Sequence, residues 1–335
     1  MNDLITMNLA PICIFSYNRP NHLQRVLDAL SKNDLASESV LYIYCDGAKP
    51  LQTEEDKNQE EVSTSARRFF KGTEAEYEKY LSDIEANRKV AHSATGFKEV
   101  RVVERPQNVG LKDNIVGAVT EVVNQYGRII TLEDDIITSK GFLRYMNDAL
   151  EVYKDEEKVM HVSAYMWPHR RRLPETFFYP VPYPGGGWAT WQRAWKYYND
   201  NTQELYDYWK DKWEVFNTNG GVFYQRQLED NLSGKLTSWF IKWHAVMLQK
   251  AGLTLFPRQS LTTNIGFDDT ATNCISTNRY FINKLAASIA VNRTEIKVHK
   301  RGASEIYSFY QGRWYNKRRR KQFAELLIEK MSFWK

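Results

Sequence analysis

Short apolar runs alternate with segments of helical periodicity along the first half of the chain. Ala10 to Phe15 (APICIF) is a buried-strand pattern, followed by Ser16-Tyr17-Asn18-Arg19-Pro20. Leu23, Val26, Leu27 and Leu30 then keep helical spacing, with Asn18 or Asn21 placed to cap that helix. Val40 to Cys45 reads as a second strand ending at the turn dipeptide Asp46-Gly47. Strand, helix, strand in this order implies a right-handed parallel crossover. Residues from about 52 to 92 are charged and poor in Gly and Pro, with Phe69, Phe70, Tyr77, Tyr80, Leu81 and Ile84 at roughly helical intervals, a pattern that predicts a helical excursion. Glu99 to Glu104 (EVRVVE) resumes the sheet, Asn108-Val109-Gly110 opens a helix through Ile115, Val119, Val122 and Tyr126, and Ile129 to Leu132 forms a strand that delivers Glu133-Asp134-Asp135 at its end. A helix through Phe142, Tyr145, Met146, Ala149 and Tyr153 follows. Alternation up to about residue 165 predicts an α/β chain with a doubly wound, mostly parallel sheet of the kind that binds a nucleotide.

The second half reads differently. An aromatic, glycine-punctuated segment from Pro180 to Trp195 precedes a helical stretch, Trp239 to Leu248, and a turn-rich segment from Pro257 to Cys274. It is expected to complete the same domain as the acceptor side of a cleft, over residues 165 to 275, within a domain spanning residues 1 to 275.

The 335 residues suffice for a large core, and 42% hydrophobic with 26% charged residues are globular values. The aromatic share, 14%, is high, and Trp and Tyr crowd between Tyr165 and Trp243. Such rings suit sugars as well as a core. Cys13, Cys45 and Cys274 are too few and scattered for a disulfide framework or zinc site. No apolar run reaches the ~18 residues of a membrane span, and the amino end has no basic region of a secretory signal, so a cytoplasmic location is expected.

Three consecutive carboxylates at a strand's C-terminal edge make an oxygen-rich pocket for Mn²⁺ or Mg²⁺, and open α/β sheets bind ligands at that edge. No GxGxxG and no Walker lysine loop occurs, which removes dehydrogenases and P-loop ATPases as leading readings. Gly185-Gly186-Gly187 lacks a following Lys-Ser/Thr, so it is read as a sugar-facing loop carrying Trp188 and Trp191, with a plain turn as the alternative. The six histidines show no ligand spacing.

SYNRP after the first strand, Asp-Gly after the second, NVGL before a helix and EDD after a strand together resemble the GT-A glycosyltransferases. More narrowly they are similar to bacterial family 2-type sugar transferases related to the eukaryotic N-acetylglucosaminyltransferase that acts on N-glycans. Gly185 to Trp191, Ser238 to Trp243 and Ser260 to Asp268 also resemble segments of these bacterial enzymes, and the ordered likeness runs from about residue 9 to 275. The resemblance implies a nucleotide-sugar donor, commonly UDP-linked. It implies that Tyr17 and Arg19 meet the nucleotide, that Asp46 accepts hydrogen bonds from the base, and that Asn108, Lys112 and Asn114 line the nucleotide and donor sugar. Asp135 would reach the metal, Asp134 the ribose or a metal-bound water, and Glu133 would support them.

An inverting transferase needs a carboxylate opposite the leaving group to take the acceptor's proton. Relatives often carry an Asp near the Ser-Trp pair, where Leu236-Thr237-Ser238-Trp239 has none, which leaves Asp230 and the Asp268-Asp269 pair as candidates. Thr272-Asn273-Cys274 stands where relatives commonly show Thr-His-Cys, and an amide oxygen suits Mg²⁺ or weakly held Mn²⁺.

A net charge of +5 concentrates toward the C-terminal end, where Lys317 to Lys321 precedes Phe323, Leu326, Leu327, Met331 and Trp334 at helical spacing. Residues 276 to 335 are expected to form a helical, basic extension. Two readings stand for its amphipathic end: a peripheral anchor on an anionic membrane, or a packing helix with a solvated basic flank. The short basic cluster without a recognised module argues against nucleic acid as a partner. The expected activity is metal-dependent transfer to a glycan or lipid-linked glycan acceptor in bacterial surface polysaccharide synthesis. A silent glycan-binding scaffold and a sugar nucleotidyltransferase are the rival readings.

Overall fold

The alternation builds one eight-stranded mixed sheet in a computed structural model, which describes residues 8–53, 56, 69–218, 222–267 and 280–310. Strand β1 (Ile12–Ser16) is followed by α1 (Pro20–Leu30), β2 (Val40–Cys45), α2 (Glu74–His92), β3 (Glu99–Glu104), α3 (Gly110–Tyr126) and β4 (Arg128–Glu133). These strands pair in parallel in the order β3-β2-β1-β4. β1 is buried at every position because helices cover both faces, so its sequence is a continuous apolar run without alternation. Helix α1 starts at Pro20, the favoured first helical residue, and neither Asn18 nor Asn21 caps it. Arg19 is the flanking residue, and its carbonyl accepts from the amides of His22 and Leu23.

Within the described part of the 52–92 excursion lies α2, whose start is set by a capping box: the Glu76 amide donates to Thr73 Oγ1 and the Thr73 amide to Glu76 Oε2. Tyr80, Ile84, Asn87 and Ala91 form its buried stripe. Helix α3 ends at Gly127, which adopts φ 76°, the left-handed conformation that glycine supplies without strain.

Past β4 the chain turns through Asp134 and Asp135 into β5 (Ile136–Thr138), then α4 (Phe142–Val152) and β6 (Val159–Ser163). The second half contributes β7 (Thr176–Tyr179), β8 (Trp188–Trp191), the helices α5 (Gln192–Trp195), α6 (Thr202–Trp209), α7 (Trp213–Phe216), α8 (Gln225–Leu232) and α9 (Trp239–Gln249), β9 (Leu253–Pro257), β10 (Thr262–Asn264) and α10 (Lys300–Tyr310). β8 inserts antiparallel between β4 and β6, and the sheet ends β6-β9-β7. β10 pairs antiparallel with β5 in a separate ribbon. Residues 280–310, within the expected extension, pack on this same sheet: Val298 bridges Phe178, and a Cβ on Gly302 would lie 2.4 Å from the Phe177 ring.

The glycine-punctuated segment supplies core. Trp188 is 3% exposed, and its ring stacks on His161 at 5.1 Å and on Trp239 at 5.0 Å. Trp191 is buried too, its Nε1 donating to the Leu150 carbonyl. Gly186 fits directly against Tyr165, where a Cβ would come within 2.2 Å. The expectation of a sugar-facing loop with Trp188 as a donor-site ring is therefore corrected: insertion of β8 at the centre of the sheet turns these rings inward. Among the described residues no helix is long and apolar enough to cross a membrane, and Lys317 to Trp334 lie outside them.

Candidate functional site at the carboxyl edge of the sheet

The carboxyl ends of β1, β2 and β4 lie side by side because the three strands are parallel and in register, Phe15 opposite both Tyr44 and Glu133. Backbone bonds tie the exits together: the Asp134 amide donates to the Phe15 carbonyl at 3.0 Å and the Asp46 amide to the Ser16 carbonyl at 2.9 Å. The loops after these strands must therefore converge, bringing Tyr17, Arg19, Asp46, Asp134 and Asp135 to one edge.

Arg19 is the centre of this arrangement. Its Nη2 donates to Asp134 Oδ1 and, at 2.9 Å, to Asp135 Oδ2. Asp134 and Asp135 are 3% and 7% exposed, so this single guanidinium is shared by two buried carboxylates and offsets one of their two charges. Asn264 Nδ2 donates to Asp135 Oδ1 at 3.3 Å, and the Ile265 amide donates to the Asp135 carbonyl at 2.9 Å. Gly266 closes over the group: a Cβ there would sit 2.0 Å from Asp135 Oδ2 and 2.8 Å from Arg19 Nη1. Any side chain at 266 must displace the ion pair. Burial, then the charges of Asp135 and Asp134, pushes the Glu133 carboxyl well above its usual range. Asp134 is also raised, by burial and by Asp135, against the opposing pull of Arg19.

Asp46 is saturated from within the protein. Its Oδ1 accepts from the amides of Gly47 and Val109 at 2.9 Å, and its Oδ2 from the Gly110 amide and Asn108 Nδ2 at 3.0 Å. A carboxylate has about four acceptor positions, so these donors fill it. In this geometry Asp46 caps the start of α3 from another loop, offsetting the exposed N–H groups and positive dipole end of that helix. Asn108 is drawn in with it and also donates to the Gly47 carbonyl at 3.1 Å. Asn114 is buried and accepts from Arg105 Nε at 3.2 Å. The Tyr17 hydroxyl bonds that of Tyr80, whose oxygen accepts from the Lys49 amide at 2.7 Å, so Tyr17 props the loop around residues 47–49.

Lys112 projects from the first turn of α3 and meets Asp200 Oδ2 at 2.8 Å, while Lys242 of α9 meets Asp200 Oδ1 at 2.7 Å. Asp200 thus joins the first half to the second, and these two lysines hold its carboxyl below the usual range despite partial burial. Sequence reasoning missed Asp200, Asn264 and Gly266. The signals available were Lys242 inside the Ser238–Trp243 motif and the Asn264-Ile265-Gly266 stretch quoted for the family likeness.

Asp230 is not brought into this cluster. It sits on α8, 3.7 Å from Arg226, and lines a cleft of about 590 Å³ formed by residues between 217 and 235. Asp268 and Asp269 lie outside the described residues.

Among the described residues no three His, Cys, Asp or Glu side chains converge as a protein-only metal cage. Asp134 and Asp135 nonetheless present a donor set that fits Mg²⁺ or Mn²⁺ of one kind, a cation that keeps waters and substrate phosphates as its remaining ligands. Arg19 already bridges the two acids, so such a cation must share or replace the guanidinium. No family model matches this chain, and no curated protein matches it.

Proposed function

We propose that the protein is an inverting glycosyltransferase that takes a sugar from a nucleotide-sugar donor, UDP-linked as the leading case, and passes it to a glycan or lipid-linked glycan. One observation carries the reading: Arg19, Asp134 and Asp135 meet at the carboxyl edge of a parallel sheet, beside the Asp46-braced loops. That edge is where open α/β sheets bind nucleotides, and a paired arginine and acid cluster suits a diphosphate. Mn²⁺ or Mg²⁺ held by Asp135 and Asp134 would supply electrostatic stabilisation of the departing diphosphate.

The chain's own groups have distinct tasks. Arg19 can turn a guanidinium edge toward phosphate oxygens, since planar bidentate pairing serves phosphate as well as carboxylate. Asp46 fixes Asn108 and the first turn of α3, which sets the wall against which a nucleotide would lie. In the transfer, the acceptor hydroxyl oxygen bonds to the anomeric carbon as the bond to the diphosphate oxygen breaks. The bonding pair leaves with the nucleoside diphosphate, and the hydroxyl proton passes to a carboxylate. Asp230, Asp268 and Asp269 are the acids put forward for that proton.

The deciding experiment incubates the protein with a panel of nucleotide sugars and a lipid-linked acceptor, with and without Mn²⁺ or Mg²⁺, and follows nucleoside diphosphate release. Turnover that vanishes in Asp135→Ala supports the proposal, and Asp230→Asn beside Asp268→Asn identifies the base. Pyrophosphate release would instead indicate nucleotidyl transfer. No turnover with any donor removes the enzyme reading.

A further inference from the structure

A second concavity, about 460 Å³, opens where the loop after β6, the end of β9 and residues 281–284 meet. Its charge is one-sided. Arg172, Arg258 and Lys284 line it together with His169, and among the described residues no carboxylate does. Arg258 is matched by Glu175 at 3.0 Å, but among the described residues the Arg172 and Lys284 side chains have no ion pair. Arg172 ends the run His169-Arg170-Arg171-Arg172, in which Arg171 is already neutralised by Glu305 at 3.2 Å. Two uncompensated cations lining one cleft leave it positive unless an anion joins them.

Two further features point to a ligand with more than charge. Trp167 lines the cleft almost fully buried, and its Nε1 has no acceptor among the described residues. A buried donor without a partner is costly, and a ligand group that opened the cleft wall to it would offset that cost. Phe281, at the rim, leaves 42% of its surface in water, an apolar flank for the body of a larger molecule. The cleft also abuts the candidate site. Ser260 lines it, the Ile282 amide donates to Thr263 Oγ1 at 2.9 Å, and Asn264 at the far end of β10 holds Asp135. Three residues separate Ser260 from Asn264, four backbone steps that span at most about 14 Å.

We infer that this cleft binds a diphosphate group carried on a larger molecule, with Arg172 and Lys284 as its charged contacts. The inference does not depend on the proposed reaction, because it concerns binding without donor or divalent cation.

Titration calorimetry with inorganic pyrophosphate, in chelator and without nucleotide sugar, is the first arm. Co-sedimentation with phosphatidylcholine vesicles containing polyisoprenyl diphosphate is the second, and vesicles containing phosphatidylglycerol are the third. Arg172→Ala with Lys284→Ala removes two exposed, unpaired side chains, and Lys32→Ala with Lys98→Ala removes the same charge elsewhere on the surface. The cleft variant should lose at least about tenfold in pyrophosphate affinity while the control pair keeps it. Cleft-dependent binding to the polyisoprenyl diphosphate vesicles assigns the group to a lipid, and binding of pyrophosphate alone assigns it to a soluble molecule. Absence of binding in the first two arms overturns the inference. Equal weakening in both variants, or equal binding to phosphatidylglycerol, overturns it too by reducing the effect to overall charge.

Discussion

Arg19 holds two buried carboxylates that follow one another in sequence, and what it costs to remove it follows from that count. Breaking a buried ion pair by deleting one partner typically costs about 3–5 kcal/mol, because the remaining charge stays without compensation. In Arg19→Gln both Asp134 and Asp135 are left so, and each can recover only by taking up a proton or binding a cation. The variant should therefore melt well below the parent protein in chelator and regain much of the difference on adding Mn²⁺ or Mg²⁺. The parent, whose two acids already share the Arg19 charge, should respond less than the variant to the metal alone. Differential scanning fluorimetry with and without cation reads both. An equal metal shift in the two proteins would show that Arg19 and a cation do not compete for the pair. Asp46 carries a related lesson at the same scale: a carboxylate placed where a ligand contact is expected spends all its lone pairs on Gly47, Asn108, Val109 and Gly110.

At the scale of elements, the strands with local signals were the legible ones. β2 (Val40–Cys45) and β3 (Glu99–Glu104) fall where the apolar runs and flanking turn residues put them, and the Glu133-Asp134-Asp135 turn ends β4 as expected. What the local pattern could not carry was pairing across long separations. β8 lies some sixty residues beyond β4 yet pairs with it, Thr131 opposite Trp188, and nothing in the string Gly-Gly-Gly-Trp-Ala-Thr-Trp distinguishes a sugar-facing loop from a central strand with both faces covered. The Arg19 pairing to Asp134 spans 115 positions and is likewise invisible to periodicity. The placement of β8 has a direct energetic consequence. Trp188 contacts His161 and Trp239 within the core, so Trp188→Ala should cost about 3–5 kcal/mol, the range for a large buried ring replaced by a methyl group. Urea denaturation would measure it. A loss below about 1 kcal/mol, as for an exposed ring, would contradict the buried position.

The whole molecule's response to acid is set by two sets of groups with opposite leanings. On the first side stand Glu133 and Asp134, whose carboxyls are raised by burial. The folded state holds their protons more tightly than the unfolded chain, so they stabilise at low pH and lose that contribution as pH rises. On the second side stand His161 on β6 and His244 on α9, both fully buried. Burial pushes His161 down to about 3 and His244 to about 4. Their rings are held neutral: Trp243 Nε1 donates to His161 Nδ1 at 3.3 Å, and His244 Nε2 donates to the Phe216 carbonyl at 2.9 Å. Below the ordinary histidine value the unfolded chain gains protons that the folded chain refuses, so stability rises with pH through this window and falls as pH drops. Each histidine can contribute a slope of up to about 1.4 kcal/mol per pH unit between about pH 6.5 and about pH 4. The two carboxyls oppose this slope, so the parent protein should show a shallower acid loss than two histidines alone would give. His161→Phe keeps a ring against Trp188 but removes the titrating group, so its stability measured by urea unfolding from about pH 7 to about pH 4.5 should fall less steeply than the parent's. Parallel curves for the two proteins would mean that His161 takes up its proton in the fold as readily as in the unfolded chain, contrary to its buried place between β8 and α9.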